Sequence, residues 1–262
     1  MLNTGRLKRC LAAGILLALL MPSAATPAQA VTRIAAASQL RFVMDDIAQQ
    51  YREQFPDNRI DVQYGSSGRF HAQIINGAPF DVYLSADMEY PAAVAEAGFA
   101  ATRVLPYAVG RLALWSNTVD AESLTLTDLT DPRFRRVAIA NPRHAPYGAR
   151  AREALMSVGV WEAVEPRLVY GENISGTLQL VQSGAAEVGI VALALVLNPE
   201  ILAQGGYHLI DDQLHQPLEQ GLVVTRRAAQ NDVAWHFARY IRGPEASKIF
   251  RAYGYDLPAT SP

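Results

Sequence analysis

Four short stretches of this chain could gather unpaired backbone donors: Ala37-Ser38-Gln39, Ser66-Ser67-Gly68, Pro146-Tyr147-Gly148 and Ile174-Ser175-Gly176. In each, a strand or loop ends, a small or polar group follows, and a helical pattern begins. A helix N-terminus presents N–H groups without intrahelical partners at the positive end of the helix dipole, which makes it an anion site. Serine hydroxyls can cap such a helix or donate to an anion. Gly68, Gly148 and Gly176 leave room for close approach to the backbone. A serine at one helix start is more often a cap than a ligand contact. Four such starts at strand ends carry more weight, because open α/β sheets bind ligands along that edge.

The four stretches hold no Asp or Glu and no cation. Neutral N–H and O–H donors avoid the desolvation cost of burying extra charges. A guest that still carries a proton would want an acceptor. The set therefore suits a small, fully deprotonated dianion such as molybdate, tungstate or sulfate.

The elements that must position these stretches alternate β and α. Strands are expected at 33–37, 59–64, 80–84, 136–140, 167–170 and 188–192. Leu40, Val43, Met44, Ile47, Ala48 and Tyr51 recur at helical spacing and give one buried face. Further helices are expected at 69–75, 91–97, 148–156, 176–182, 233–241 and 245–253, with Gly254 as the C-terminal cap of the last. This rhythm predicts an α/β fold with largely parallel sheets. Two strand-like segments, 111–116 and 221–226, fall outside it and are read as crossings between two lobes. Lobe one is then discontinuous, 31–110 plus 221–262, with lobe two at 111–220.

Residues 1–30 read as a signal peptide, with Arg6, Lys8 and Arg9 before an apolar run and Ala28-Gln29-Ala30 as the cleavage site. The run is short for a membrane span. The single cysteine, Cys10, precedes it, so no lipid anchor is expected. Cleavage leaves no cysteine, which excludes disulfides, thiol nucleophiles and thiolate metal sites and suits an oxidising compartment. It also leaves 20 basic against 25 acidic residues, a net of −5, the wrong sign for a nucleic-acid binder.

The stretches occur in a wider set: Ala35-Ala36-Ala37-Ser38, Gly65-Ser66-Ser67-Gly68, the run from Asn76 to Asp87, Asn141-Pro142 with Ala145 to Gly148, Gly189 to Ala192, Gly243-Pro244 and Tyr253-Gly254. In this order and spacing the chain resembles the molybdate-binding periplasmic proteins, the ModA family of ABC-importer receptors. The resemblance implies a two-lobed, type II-like periplasmic clamshell with two crossing strands. It implies ligand contacts from the Ser38 and Ser67 hydroxyls and amides and from the Tyr147 and Ile174 amides. It also implies molybdate or tungstate as ligand without a cofactor or a directly ligated metal, an inner-membrane ABC permease as partner, and a periplasmic, monomeric, non-enzymatic receptor. One departure stands out. Many members place a tyrosine, whose hydroxyl donates to the oxyanion, where this chain has Ala192. Gln39 is the candidate to supply the missing donor.

Other readings remain open from the residues. The same clamshell could take sulfate or an organic acid. A serine hydrolase is the rival of another class, but Gly65-Ser66-Ser67-Gly68 is not a nucleophile elbow, and His71 is the sole histidine close by in sequence. The five histidines form no i, i+4 pair, and no two tyrosines are adjacent as a ferric-ion receptor would require.

Overall fold

The computed structural model describes residues 31–259. The signal-peptide reading, Cys10 and the last three residues of the expected lobe one lie outside them. Two five-stranded mixed sheets, each flanked by helices, form the scaffold.

In the first sheet the order is β2 (Ile60–Gly65), β1 (Thr32–Ala37), β3 (Val82–Leu84), β10 (Leu218–Val224), β4 (Leu105–Gly110). Strands β2, β1 and β3 run parallel, and β10 is antiparallel to both of its neighbours. In the second sheet the order is β7 (Leu168–Gly171), β6 (Val137–Ala140), β8 (Val188–Ala192), β5 (Leu112–Ser116), β9 (Gly206–Leu209). Here β7, β6 and β8 are parallel, and β5 is antiparallel to β8 and β9. The parallel strands are covered on both faces and accordingly read as continuous apolar runs: Ile34 to Ala36 and Val188 to Ala192 are buried throughout.

The antiparallel strands account for what the β-α rhythm alone does not show. Segment 111–116 becomes β5, lying wholly in the second sheet, and segment 221–226 overlaps β10, lying wholly in the first. Strand β10 starts earlier than periodicity places it, because Leu218 already pairs with Gly110. The chain passes between sheets at Arg111, directly between β4 and β5, and again between β9 and β10.

Helix α1 (Arg41–Gln54) buries Val43, Met44, Ile47, Ala48 and Tyr51, the face its spacing predicts. It packs on α10 (Pro244–Ala252) and on the short α7 (Leu193–Val196). Helix α10 ends in a Schellman turn. Gly254 takes a left-handed φ of 75°, its amide donates to Arg251 O at 3.0 Å, and the Tyr255 amide donates to Phe250 O at 3.1 Å. That turn swings Tyr255 back into the core, where its hydroxyl donates to Gln39 O. No helix among the described residues is long and apolar enough to cross a membrane.

Candidate functional site

The four stretches all become helix starts at the C-terminal ends of strands. A 3-10 turn, Ser38–Leu40, follows β1 and runs into α1; α2 (Ser67–Ile75) follows β2; α4 (Pro146–Ser157) follows β6; α6 (Ile174–Gln182) follows β7. Two therefore come from each sheet. They meet across the seam between the sheets. The Gly68 amide donates to His144 O at 2.9 Å, the Ser175 hydroxyl to Ser38 O at 2.8 Å, and the Ser175 amide to Ser38 Oγ at 3.3 Å.

Several amides of these helix starts are consumed by the fold. At α2, Gly68 is taken by His144. At α4, Pro146 has no N–H and Gly148 donates to Ala145 O. At α6, Ser175 is taken by Ser38 and Gly176 by the Asn173 side chain, which caps the helix. The amides of Ser38, Gln39, Ser67, Tyr147 and Ile174 have no acceptor among the described residues. The Leu40 and Arg69 amides at the same starts are likewise without an acceptor among the described residues; the five named are those that the family resemblance and the place of Gln39 after Ser38 single out, and each is buried. Buried N–H groups in folded proteins almost always have partners, so the five point to something that is not protein.

The two serine hydroxyls add to this set. Ser67 Oγ accepts the Ala86 N–H at 3.0 Å, and Ser38 Oγ accepts the Ser175 N–H. A hydroxyl with an accepting lone pair so occupied still has its proton to give, and neither proton has an acceptor among the described residues. Neither serine acts as a side-chain cap of its helix. The arrangement can thus offer amide and hydroxyl donors from both sides of the seam to an acceptor-only guest, with no carboxylate in the set.

For Gln39 the side chain and the backbone amide part company. Its side chain is buried, and Nε2 donates to Gln220 Oε1 at 3.0 Å. The side-chain amide therefore engages the protein, while the backbone amide is left over. Ala192 is fully buried at the end of β8. Gln220 also donates to the Tyr147 hydroxyl at 3.1 Å, and Tyr107 Oη lies 2.8 Å from Gln220 Oε1. Burial pushes the phenols of Tyr107, Tyr147 and Tyr255 up from the usual tyrosine range, so all three are neutral hydrogen-bonding groups. Sequence reasoning passed over Gln220. Its signal lies in the period-two alternation of the strand, which turns Gln220 to the same inward face as Leu218 and Leu222.

At the solvent edge of the seam, His144 Nδ1 lies 3.1 Å from Ser66 Oγ, and Arg69 pairs with Glu172. A cleft of about 420 Å3 opens beside Ser38 and Ser175, rimmed by Arg41, Tyr64 and Glu172. His71 stacks against Tyr90 rather than approaching Ser67 for catalysis. No cluster of three or more potential metal ligands occurs among the described residues.

Residues 32–256 match the family of bacterial extracellular solute-binding proteins. The molybdate-binding protein ModA of Azotobacter vinelandii is 36% identical over 97% of this chain and 98% of its own. That of Rhodobacter capsulatus is 39% identical, covering 73% of this chain and 75% of its own. Among solved structures, the periplasmic molybdate-binding protein of Azotobacter vinelandii superposes with a TM-score of 0.79 at 31% identity, covering 87% of this chain and 100% of that one. Fold, helix-end chemistry and sequence agree: the chain belongs to the bacterial extracellular solute-binding proteins, and among them to the ModA family.

Proposed function

We propose that this protein is the periplasmic receptor of an ABC importer, capturing molybdate or tungstate between two lobes and presenting it to an inner-membrane permease. One observation carries the reading. Each of the four helix starts keeps an unpartnered buried amide, at Ser38 with Gln39, at Ser67, at Tyr147 and at Ile174, and the Ser38 and Ser67 hydroxyls supply further donors. A tetrahedral dianion accepts from all its oxygens and donates nothing, so it satisfies every one of them. Molybdate, after which the similar proteins of Azotobacter vinelandii are named, is such an ion.

The lobes follow the sheets: 31–110 with 218–259, and 111–217. Residues 1–30 serve as a cleaved export signal and the mature receptor acts as a monomer. It binds and releases, and performs no chemistry. In this arrangement Gln39 contributes its backbone amide, with its side chain held by Gln220.

Calorimetric titration of the mature protein with molybdate, tungstate, sulfate and hydrogen phosphate tests the ligand. Tight binding of the two larger dianions and much weaker binding of sulfate is expected, since charge is shared and cavity size discriminates. Hydrogen phosphate should bind weakest, its proton finding no acceptor in the donor set. Equal affinity for sulfate and molybdate removes the assignment.

The cross-seam bonds from Gly68 to His144 and from Ser175 to Ser38 describe a closed arrangement. Small-angle scattering is therefore expected to show a smaller radius of gyration with saturating molybdate than without. Superimposable curves would mean that capture needs no closure.

A further inference from the structure

At the first passage between sheets the structure holds a buried polar cluster that anion contact alone does not explain. Strand β4 carries one extra residue against β10, between the pairs Gln220–Ala108 and Gly221–Pro106, so Tyr107 bulges out of the ladder. Gln220 lies opposite, with no solvent exposure. Its Oε1 accepts from Gln39 Nε2 at 3.0 Å and lies 2.8 Å from Tyr107 Oη, and its Nε2 donates to Tyr147 Oη at 3.1 Å. Gly110 makes this possible. A Cβ there would lie 2.1 Å from Tyr147 Oη and 2.6 Å from Gln220 Nε2. The phenol of a helix in the second sheet's layer thus enters the first through a gap that only glycine leaves.

Two of the residues Gln220 holds, Gln39 and Tyr147, each carry a backbone amide without an acceptor among the described residues, one from either side of the seam. We infer that Gln220 is a positioning residue that couples anion capture to lobe closure. It fixes Gln39 permanently within its own lobe and receives the Tyr147 hydroxyl only when the lobes meet. Closure then sets the Tyr147 amide on the anion and its phenol on Gln220 together. In the open form the Tyr147 hydroxyl and Gln220 Nε2 return to water, at little cost to stability. The inference rests on the oxyanion-receptor reading above.

The test is a double-mutant cycle on molybdate affinity with Gln220→Met, which keeps the side chain's length, and Tyr147→Phe, which removes a single oxygen. Each single variant is expected to weaken binding about tenfold, mainly through faster dissociation. The double variant should lose little more than Gln220→Met alone, because that variant already removes the one bond that Tyr147→Phe removes, along with those to Gln39 and Tyr107. Gln220→Met combined with Ser67→Ala should instead lose the product of the two single effects. The melting temperature of ligand-free Tyr147→Phe should equal that of the parent. Should Gln220→Met fail to fold, Tyr147→Phe alone decides, through affinity against ligand-free melting. Parental affinity and dissociation rate in Tyr147→Phe, or fully multiplicative losses in the Gln220–Tyr147 pair, overturn the coupling. A parent protein that binds none of the oxyanions overturns the receptor reading itself, and the coupling with it.

Discussion

Replacing Ser38 and Ser67 together by alanine is expected to weaken molybdate binding by roughly 10²- to 10⁴-fold, as each hydrogen bond to a charged acceptor contributes about 1.5–3 kcal/mol. The two serines are not equivalent in the ligand-free protein. Ser38 Oγ accepts from Ser175 across the seam, a bond that opening would break anyway. Ser38→Ala should therefore leave ligand-free melting unchanged. Ser67 Oγ accepts from Ala86 within the same lobe, and Ser67→Ala orphans that buried N–H. A cost of about 1–3 kcal/mol follows for the ligand-free fold. Calorimetric titration together with thermal unfolding separates the two effects. Lowered melting with parental affinity in both single variants would make the serines structural groups and remove them from the site.

Gly148→Ala carries the largest expected cost to folding. Helix α4 sets its first turn against the end of β6, and a Cβ at 148 would lie 2.0 Å from Ala140 O and 2.6 Å from Ala140 C. These are backbone atoms and cannot rotate aside. A carbon–oxygen contact needs about 3.3 Å or more, so the helix start must retreat by over an ångström, or roughly a third of that contact distance. Overpacking of this kind costs about 3 kcal/mol, which lowers the melting temperature by roughly 6–12 °C in a chain of this size. The shift also carries the Tyr147 amide away from the other helix ends, so affinity should fall with stability. Gly176→Ala is the matched control. It sits at the corresponding place in α6, yet its nearest neighbour, Asn173 Oδ1, is 3.7 Å from the added carbon. Alanine there should be neutral or slightly stabilising, as a better helix former. Equal melting of the two variants would show that the α4 start has slack that the 2.0 Å contact denies.

The four helix starts are legible in the local sequence. Their signals are local: an apolar strand, a Ser or Gly, then helical spacing, all within a dozen residues. A helix start leaves its first amides unpaired wherever it stands, so the four stretches could be marked as donor sets from local sequence, while the choice of Ser38, Ser67, Tyr147 and Ile174 within them came from the family resemblance and that of Gln39 from its place after Ser38. Parallel strands were legible for the same reason, since Ile34 to Ala36 and Val188 to Ala192 are apolar on both faces. The rest follows from long-range packing. Which amides stay free depends on partners far along the chain, as His144 takes Gly68 and Ser38 takes Ser175. The antiparallel place of β10, between β3 and β4, depends on a return from more than a hundred residues away. The direction of the Gln39 side chain depends on Gln220, 181 positions later. Local spacing states which groups a segment can offer. Only packing, by bringing distant donors and acceptors within hydrogen-bond reach, decides which of those groups are consumed by the fold and which remain for a ligand.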